Sequence, residues 1–368
     1  VAGLAMLALP LLSSLQFYAG YPLVSDEGVP LAKLASDWAL RHQSVFKSRP
    51  ETRRLFFKES GAAYAPGESV RQPELAETLR QVSKQGVQYM YVGDWARHFV
   101  AAVQREGGKV TMDDLAAYRA QWSEPMRIAY GDYDVLSIGE NHLGARVLLG
   151  ALQTAAAANL KQYGHYSQSP QALFELIHIN RIHSWLASPF ADVRAQSGLS
   201  FDPARESQIS LATAQRVIAH IRNRPADGSA PPIGSHSSAI IAVDAEGNVA
   251  CMVHSINGGW GTGLFVDGVA IPDGAKFQQR MIASVGGGKR LPDPTNPVMV
   301  LKDGKPVLAA GAIGQNALRS LVLQNVVSVL DFGMDVRAAT AAPYTLGGYA
   351  ASGDSATAPR LRKEIVLR

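Results

Sequence analysis

The 368-residue chain holds a single cysteine, Cys251, so neither an intramolecular disulfide framework nor a cysteine-rich metal site can be built from it. Charge of one sign is scarce too: 35 Lys and Arg stand against 31 Asp and Glu. With no basic stripe and no interleaved aromatics, a nucleic-acid surface is excluded as the first reading. No long apolar run is present. The opening VAGLAMLALPLLSSLQF is interrupted by Pro10, Ser13 and Ser14, too short and broken for a membrane span. It starts at Val1 without the basic flank of a secretory leader, which predicts a chain that begins inside a domain. Also missing are a G-x-S-x-G elbow, an H-E-x-x-H zinc motif and any repeat of solenoid period. What remains is 47% hydrophobic and 18% charged, ordinary globular composition with length for about two domains or one layered domain.

From Pro30 to about Arg222 the signals are mostly helical. PELAETLRQVSKQG stops at Gly86 and GDWARHFVAAVQREGG at Gly107 and Gly108, each glycine a left-handed terminator. Thr111 and Asp114 predict a carboxylate variant of the capping box. One extended segment, YGDYDVLSI, precedes helices expected over about 145–160 and 171–187. The Pro, Gly and Ser-rich stretch 223–236 then reads as an exposed connector. After it the pattern is β: runs at 237–243 and 249–256 flank the turn DAEGN and predict a hairpin. Further strands are expected over 264–271, 297–301 and 306–310, then a helix over 315–332 closed by Gly333. This order of elements predicts an α+β layered protein with antiparallel sheet.

Three apparent motifs carry no chemistry. GGGKR at 286–290 has Ala283 in place of the first glycine of a phosphate loop and Arg290 in place of its Ser or Thr. Glu175 and His178 form one E-x-x-H where a carboxylate-bridged metal site needs two such pairs; with His183 off that face, both histidines read as helix-surface or helix-packing residues. Cys251 falls mid-strand among apolar neighbours and reads as a buried, inert thiol. No metal and no cofactor is implied.

The arrangement that remains is SAPPIGSH, then SSAIIAVDAEGNVACMVHSIN, then GGWGTG. An exposed connector running into a strand that opens on a hydroxyl residue suits an N-terminal nucleophile, whose side chain cuts the preceding peptide bond. The freed α-amine, with an ordinary pKa of about 7.7 to 8.0, then serves as base on the same residue as the attacking hydroxyl. Ser237 also reads as an ordinary strand-start serine, Asn257 as a turn residue, and Asp293 as a loop cap beside prolines.

At these residues the chain resembles the γ-glutamyltranspeptidase family of N-terminal nucleophile hydrolases. Ser237 and Ser238 stand where that family has a Thr-Thr pair before V-D-x-x-G-N, here VDAEGN. Ser255 and Asn257 match its T-x-N, and WGTG its F-G-T-G. KRLPDPTNP matches K-R-P-L-S-S-M-S-P, and VLKDGKPVLAAGAIGQ matches a strand pair before a G-S-P-G-G loop. Upstream, the segment from GVQYMYVGDW to YGDYDV follows the family's large-subunit pattern. The resemblance implies a four-layer αββα sandwich made of a large-subunit-like segment, 1–236, and a small-subunit-like segment, 237–368, together one domain lacking the family's front and C-terminal stretches.

By the same resemblance, cleavage falls between His236 and Ser237, and Ser237 becomes the nucleophile. Ser255 orients it, Asn257 contacts the substrate's polar head, and backbone N–H groups at Gly314 and Gln315 hold the oxyanion. The substrate is a γ-glutamyl or other amide, the two cut chains stay associated, and a periplasmic or extracellular location follows. The departures lie at the head group. The family's two carboxylate-gripping serines become Asp293 and Pro294, the acids that hold the α-amine become Asp273 and Lys276, and its clamping arginine lies upstream of this chain. The rival is a related scaffold or binding protein that no longer cuts itself.

Overall fold

The protein is described from a computed structural model covering residues 28–139, 142–223, 238–254, 262–272, 278–312 and 317–345. Its fold class is α+β, as the sequence predicts. Two compact units share the chain, and each is assembled from distant pieces. One takes the residues up to Trp122 with His254–Leu291; the other takes Ser123–Val253 with everything from Pro292 onward. No helix among the described residues is long and apolar enough to cross a membrane.

In the first unit, the helix Pro73–Gln85 ends on Gly86 as expected, but at φ +68° and ψ −161°, a positive-φ conformation open to glycine and not the left-handed helical one. The helix Met112–Ala117 opens with the reciprocal capping box: Asp114 N–H donates to Thr111 Oγ1 (3.2 Å) and Thr111 N–H to Asp114 Oδ2 (2.8 Å). The single strand expected over 264–271 is instead two short strands, Phe265–Val266 and Val269–Ala270. Asp267 and Gly268 between them both take positive φ, +48° and +81°, the Asp-Gly turn that reverses a hairpin in two residues. Gly268 cannot be larger, since a Cβ there would lie 2.3 Å from the Leu75 nitrogen. Phe265 and Ala270 enter a core with Phe46 and Phe56, while Val266 and Val269 enter another with Leu75 and Trp95.

The second unit is built on β1 (Met126–Tyr130), β2 (Tyr133–Ser137), α1 (Leu143–Ala158), α2 (Pro170–Leu186), α3 (Leu211–Arg222), β3 (Ser238–Val243), β4 (Val249–His254), β5 (Val298–Lys302), β6 (Lys305–Ala310), α4 (Ala317–Leu330) and α5 (Val336–Ala341). Strand β1 is an addition to the sequence reading, which started the extended segment at Tyr130; Gly131, at φ +57°, turns the chain between β1 and β2. The sheet runs β6-β5-β2-β1, antiparallel throughout. Its alternation sends Ile128, Tyr130, Val135, Val298 and Val300 into one core with Leu148 and Leu152 of α1, Leu176 and Ile179 of α2, Val217 of α3 and Val322 of α4. Each such side chain stabilises by about 1.5 to 3 kcal/mol when fully buried. The other face carries polar side chains such as the Arg127–Asp134 ion pair.

Candidate active site

The turn between β3 and β4 is locked by one carboxylate. Asp244 Oδ1 accepts the Asn248 N–H (2.7 Å), Oδ2 accepts Asn248 Nδ2–H (2.7 Å), and Gly247 takes φ +82°. The bonds from Asn248 hold the Asp244 carboxyl below the usual carboxylate range. That turn fixes the register of the hairpin, and so where β3 starts.

At the opposite end of the hairpin three strands converge. A Cβ on Gly311, just past β6, would lie 2.9 Å from Ala239 Cβ and 2.8 Å from Val253 Cγ2. The Cys251 thiol donates to Ala310 O at 3.5 Å, and burial pushes its pKa up, which suits the inert thiol expected. Ala239 is the second residue of β3 and Val253 the last but one of β4, so only glycine lets the end of β6 approach them.

Most of the sequence-derived site lies outside the described residues: His236, Ser237, Ser255, Asn257, Asp273, Lys276, Gly314 and Gln315. Along the sequence, five of them stand within three residues of described residues at this end. Ser237 directly precedes β3, Ser255 and Asn257 follow β4, and Gly314 and Gln315 follow Ala312. Asp273 follows Pro272 in the first unit.

Asp293 is described. Its Oδ1 accepts the Thr295 N–H at 2.7 Å and the Thr295 hydroxyl, and its carbonyl accepts the Gly144 N–H at 3.1 Å. The segment 293–295 therefore lies hard against the start of α1, where a Cβ on Gly144 would meet Pro294 O at 2.0 Å. Next to it Asn296 is fully buried, and neither its Oδ1 nor its Nδ2 has a hydrogen-bond partner among the described residues. Pro292 and Leu143 also line a cleft of about 280 Å³ whose other walls include Arg146, Arg194, Arg205 and Gln208. Arg194 Nε is taken by Asp202 at 2.9 Å.

The rejected motifs have structural explanations. Gly286 and Gly288 follow a helix, Gln279–Val285, instead of opening one, the reverse of a phosphate loop. Glu175, fully buried, accepts Arg222 Nε–H at 3.0 Å and Gln171 Nε2–H at 2.9 Å. His178 and His183 are buried packing residues.

One residue escaped the sequence reading. Arg319, in the first turn of α4, has an Nε closed off from solvent with no hydrogen-bond partner among the described residues. The available signal was an arginine placed three and four residues before the core residues Val322 and Leu323.

The family model described as Gamma-glutamyltranspeptidase matches residues 23–356. The chain is 25% identical over 340 residues to the glutathione hydrolase proenzyme of Pseudomonas sp. (strain A14), a match covering 87% of this chain and 58% of that protein. It is 26% identical over 346 residues to the glutathione hydrolase proenzyme of Escherichia coli (strain K12), covering 88% and 58%. It thus spans 58% of the length of either relative. Among solved structures, the cephalosporin acylase from Bacillus halodurans superposes with a TM-score of 0.65 at 22% identity, over 89% of this chain and 62% of that one, and shares its fold. With a family match that runs through both units and across the Ser237 strand, the chain belongs to the gamma-glutamyltranspeptidase family.

Proposed function

We propose that this chain is a γ-glutamyltransferase-like amide acyltransferase or hydrolase that cuts itself before Ser237 and works through an acyl-serine ester. The observation that carries the reading is the packing of Ala239 and Val253 on Gly311, which ties the flanks of the nucleophile, of its orienting pair and of the oxyanion loop to one place. The relatives named glutathione hydrolase proenzyme support both the hydrolytic chemistry and a precursor.

In self-cleavage the Ser237 hydroxyl attacks the His236 carbonyl carbon. The C–N bond breaks, the nitrogen takes up the hydroxyl proton to become the new α-amine, and water hydrolyses the resulting ester to a His236 carboxylate and the free Ser237 hydroxyl. The freed Oγ then attacks the substrate amide while its proton passes to the α-amine. That proton goes on to the departing amine, leaving the acyl group on Oγ for water or an acceptor amine to remove. Backbone N–H groups of Gly314 and Gln315, ahead of α4, stabilise the oxyanion. Ser255 orients Oγ and Asn257 holds the polar head. Segments 1–236 and 237–368 form one functional domain after the cut.

The head-group pocket differs from a γ-glutamyl site. The Asp293 carboxylate stands where an anion should bind, and a like charge in a partly desolvated site opposes binding by about 1 to 4 kcal/mol. By the resemblance, Asp273 keeps a carboxylate at one amine-holding position of the family pattern and Lys276 reverses the charge at the other, so the acyl group accepted is broader than γ-glutamyl. Denaturing electrophoresis should give fragments 1–236 and 237–368, the smaller beginning Ser-Ser-Ala-Ile, and Ser237→Ala should leave one intact band. γ-Glutamyl anilides should turn over more slowly than other acyl anilides. Wild-type protein that stays intact removes the mechanism and leaves the scaffold reading.

A further inference from the structure

Three arginines of the second unit meet in one cleft. Its volume is about 280 Å³, and Arg146, Arg194 and Arg205 stand in walls that hold one carboxylate, Asp202. Both Asp202 oxygens accept from Arg194 Nε–H, at 3.2 and 2.9 Å, and Arg194 Nη1–H donates to Ser188 O at 3.0 Å. Asp202 thus answers Arg194, and the lining keeps an excess of positive charge. Leu143 and Arg146, the first and fourth residues of α1, bring the positive end of that helix to the same cleft. The first turn of α1 carries no acidic residue, and its N-cap residue His142 makes no side-chain capping bond. Gln208, another lining residue, adds a requirement that is not charge. It is buried; its Nε2–H donates to Leu186 O at 2.9 Å, while Oε1 has no hydrogen-bond partner among the described residues. A buried acceptor in that state is unfavourable until a donor reaches it.

We propose that this cleft binds a small phosphate dianion accompanied by a hydroxyl. The guanidinium groups and the start of α1 take the charge, and Gln208 Oε1 accepts from the hydroxyl. Guanidinium forks match phosphate oxygens with parallel N–H···O bonds, and a helix N-terminus favours the same ion. Sulfate or a bare carboxylate answers the cations but brings no O–H for Gln208. At about 280 Å³ the cleft falls just under the range of drug-sized ligands, which suits inorganic phosphate or a short phosphate ester that carries its own hydroxyl. The acyl-transfer reading above uses none of these residues.

The test is calorimetric titration of the full chain near neutral pH, in phosphate-free buffer at about 0.15 M salt, where loose surface attraction is screened. Inorganic phosphate and glycerol 3-phosphate are compared with sulfate, a dianion of similar shape without an O–H. One phosphate per chain should bind, at least about tenfold tighter than sulfate, the scale of one hydrogen bond to a charged group. Tighter binding of glycerol 3-phosphate than of phosphate would make the ligand an ester; the reverse order would make it the free ion. Gln208→Met should bring phosphate down to the level of sulfate and leave sulfate unchanged. Arg205→Gln, a change at an exposed position, should weaken both anions about tenfold, and Arg205→Lys, which keeps the charge without the fork, should regain part. If Gln208→Met does not fold, the phosphate-to-sulfate ratio of the unmodified chain and the Arg205 variants still decide. Equal affinity for phosphate and sulfate in the unmodified chain, or phosphate binding that Arg205→Gln leaves unchanged, overturns the assignment. These titrations need no turnover, so an inactive chain would remove the acyl-transfer reading and leave the phosphate site standing.

Discussion

His183 shows how much one buried ring can report. The Thr154 hydroxyl donates to Gly150 O at 3.0 Å, so its oxygen is left to accept from His183 Nε2–H at 2.7 Å, which assigns the proton to Nε2. Burial pushes the His183 pKa down to about 3, and the ring stays neutral in the folded protein. An unfolded histidine titrates near about 6.5. Between these values the unfolded chain binds a proton that the folded chain refuses. The stability contributed is therefore complete above about pH 6.5 and falls by up to about 1.4 kcal/mol per pH unit on acidification toward pH 3. Thermal melts of wild type and His183→Asn across pH 7 to 4 should show the variant less stable at neutral pH and flatter on the acid side; parallel curves would assign the acid loss to other groups. The same ring explains Gly150, where a Cβ would lie 2.5 Å from His183 Nδ1. Gly150→Ala should cost about 1 to 3 kcal/mol through overpacking, read as a lowered denaturation midpoint with an unchanged slope.

Among the elements, the capping box is the most local device and the easiest to break. Thr111→Ala removes the acceptor for the Asp114 N–H and should cost about 1 kcal/mol in that helix. The Asp114 amide should exchange about fivefold faster, with little change in α1 or α2. That box was legible because both partners sit within four residues, and so were the glycine stop at Gly86 and the Asp244–Asn248 turn. Strand β1 and the reversal at Asp267 were not. The run LFVDGVAI looks continuous because apolar residues flank the turn on both sides, and two clusters, one on each face of the short hairpin, claim them. In the site, the hairpin that follows Ser237 was legible; Ser237, Ser255, Asn257 and the loop at Gly314 lie outside the described residues. The local capture of Asp293 by Thr295 was one of two readings open for D-P-T. Arg319 was not legible, since only the packed helix decides that a residue before Val322 and Leu323 faces inward. Gly311 belongs with it: its need for a bare backbone comes from Ala239 and Val253, residues brought close only by the fold.

For the whole molecule, the position of the proposed cut relative to the two units determines what the cut can do. Neither unit is confined to one side of Ser237. In the second, β2 from the segment before the cut pairs along its length with β5 from the segment after it, Asp134 to Leu301 through Ser137 to Val298. Its core joins Leu148, Leu176 and Val217 from one segment to Val300, Val322 and Val326 from the other. In the first, Phe46 and Phe56 share a core with Phe265 and Ala270, and Trp95 Nε1–H donates to Val266 O at 3.1 Å. Separating the fragments would expose core in both units and strand β5 from its partner, a cost comparable with unfolding. Breaking one peptide bond in the 223–238 region removes none of these contacts. The cut protein should therefore elute from a native sizing column as a single species at the position of the uncut Ser237→Ala variant, and yield two chains only in denaturant. Release of fragment 237–368 in native buffer would mean that the shared cores are too weak to hold it, and the proposal that both segments form one functional domain would fall.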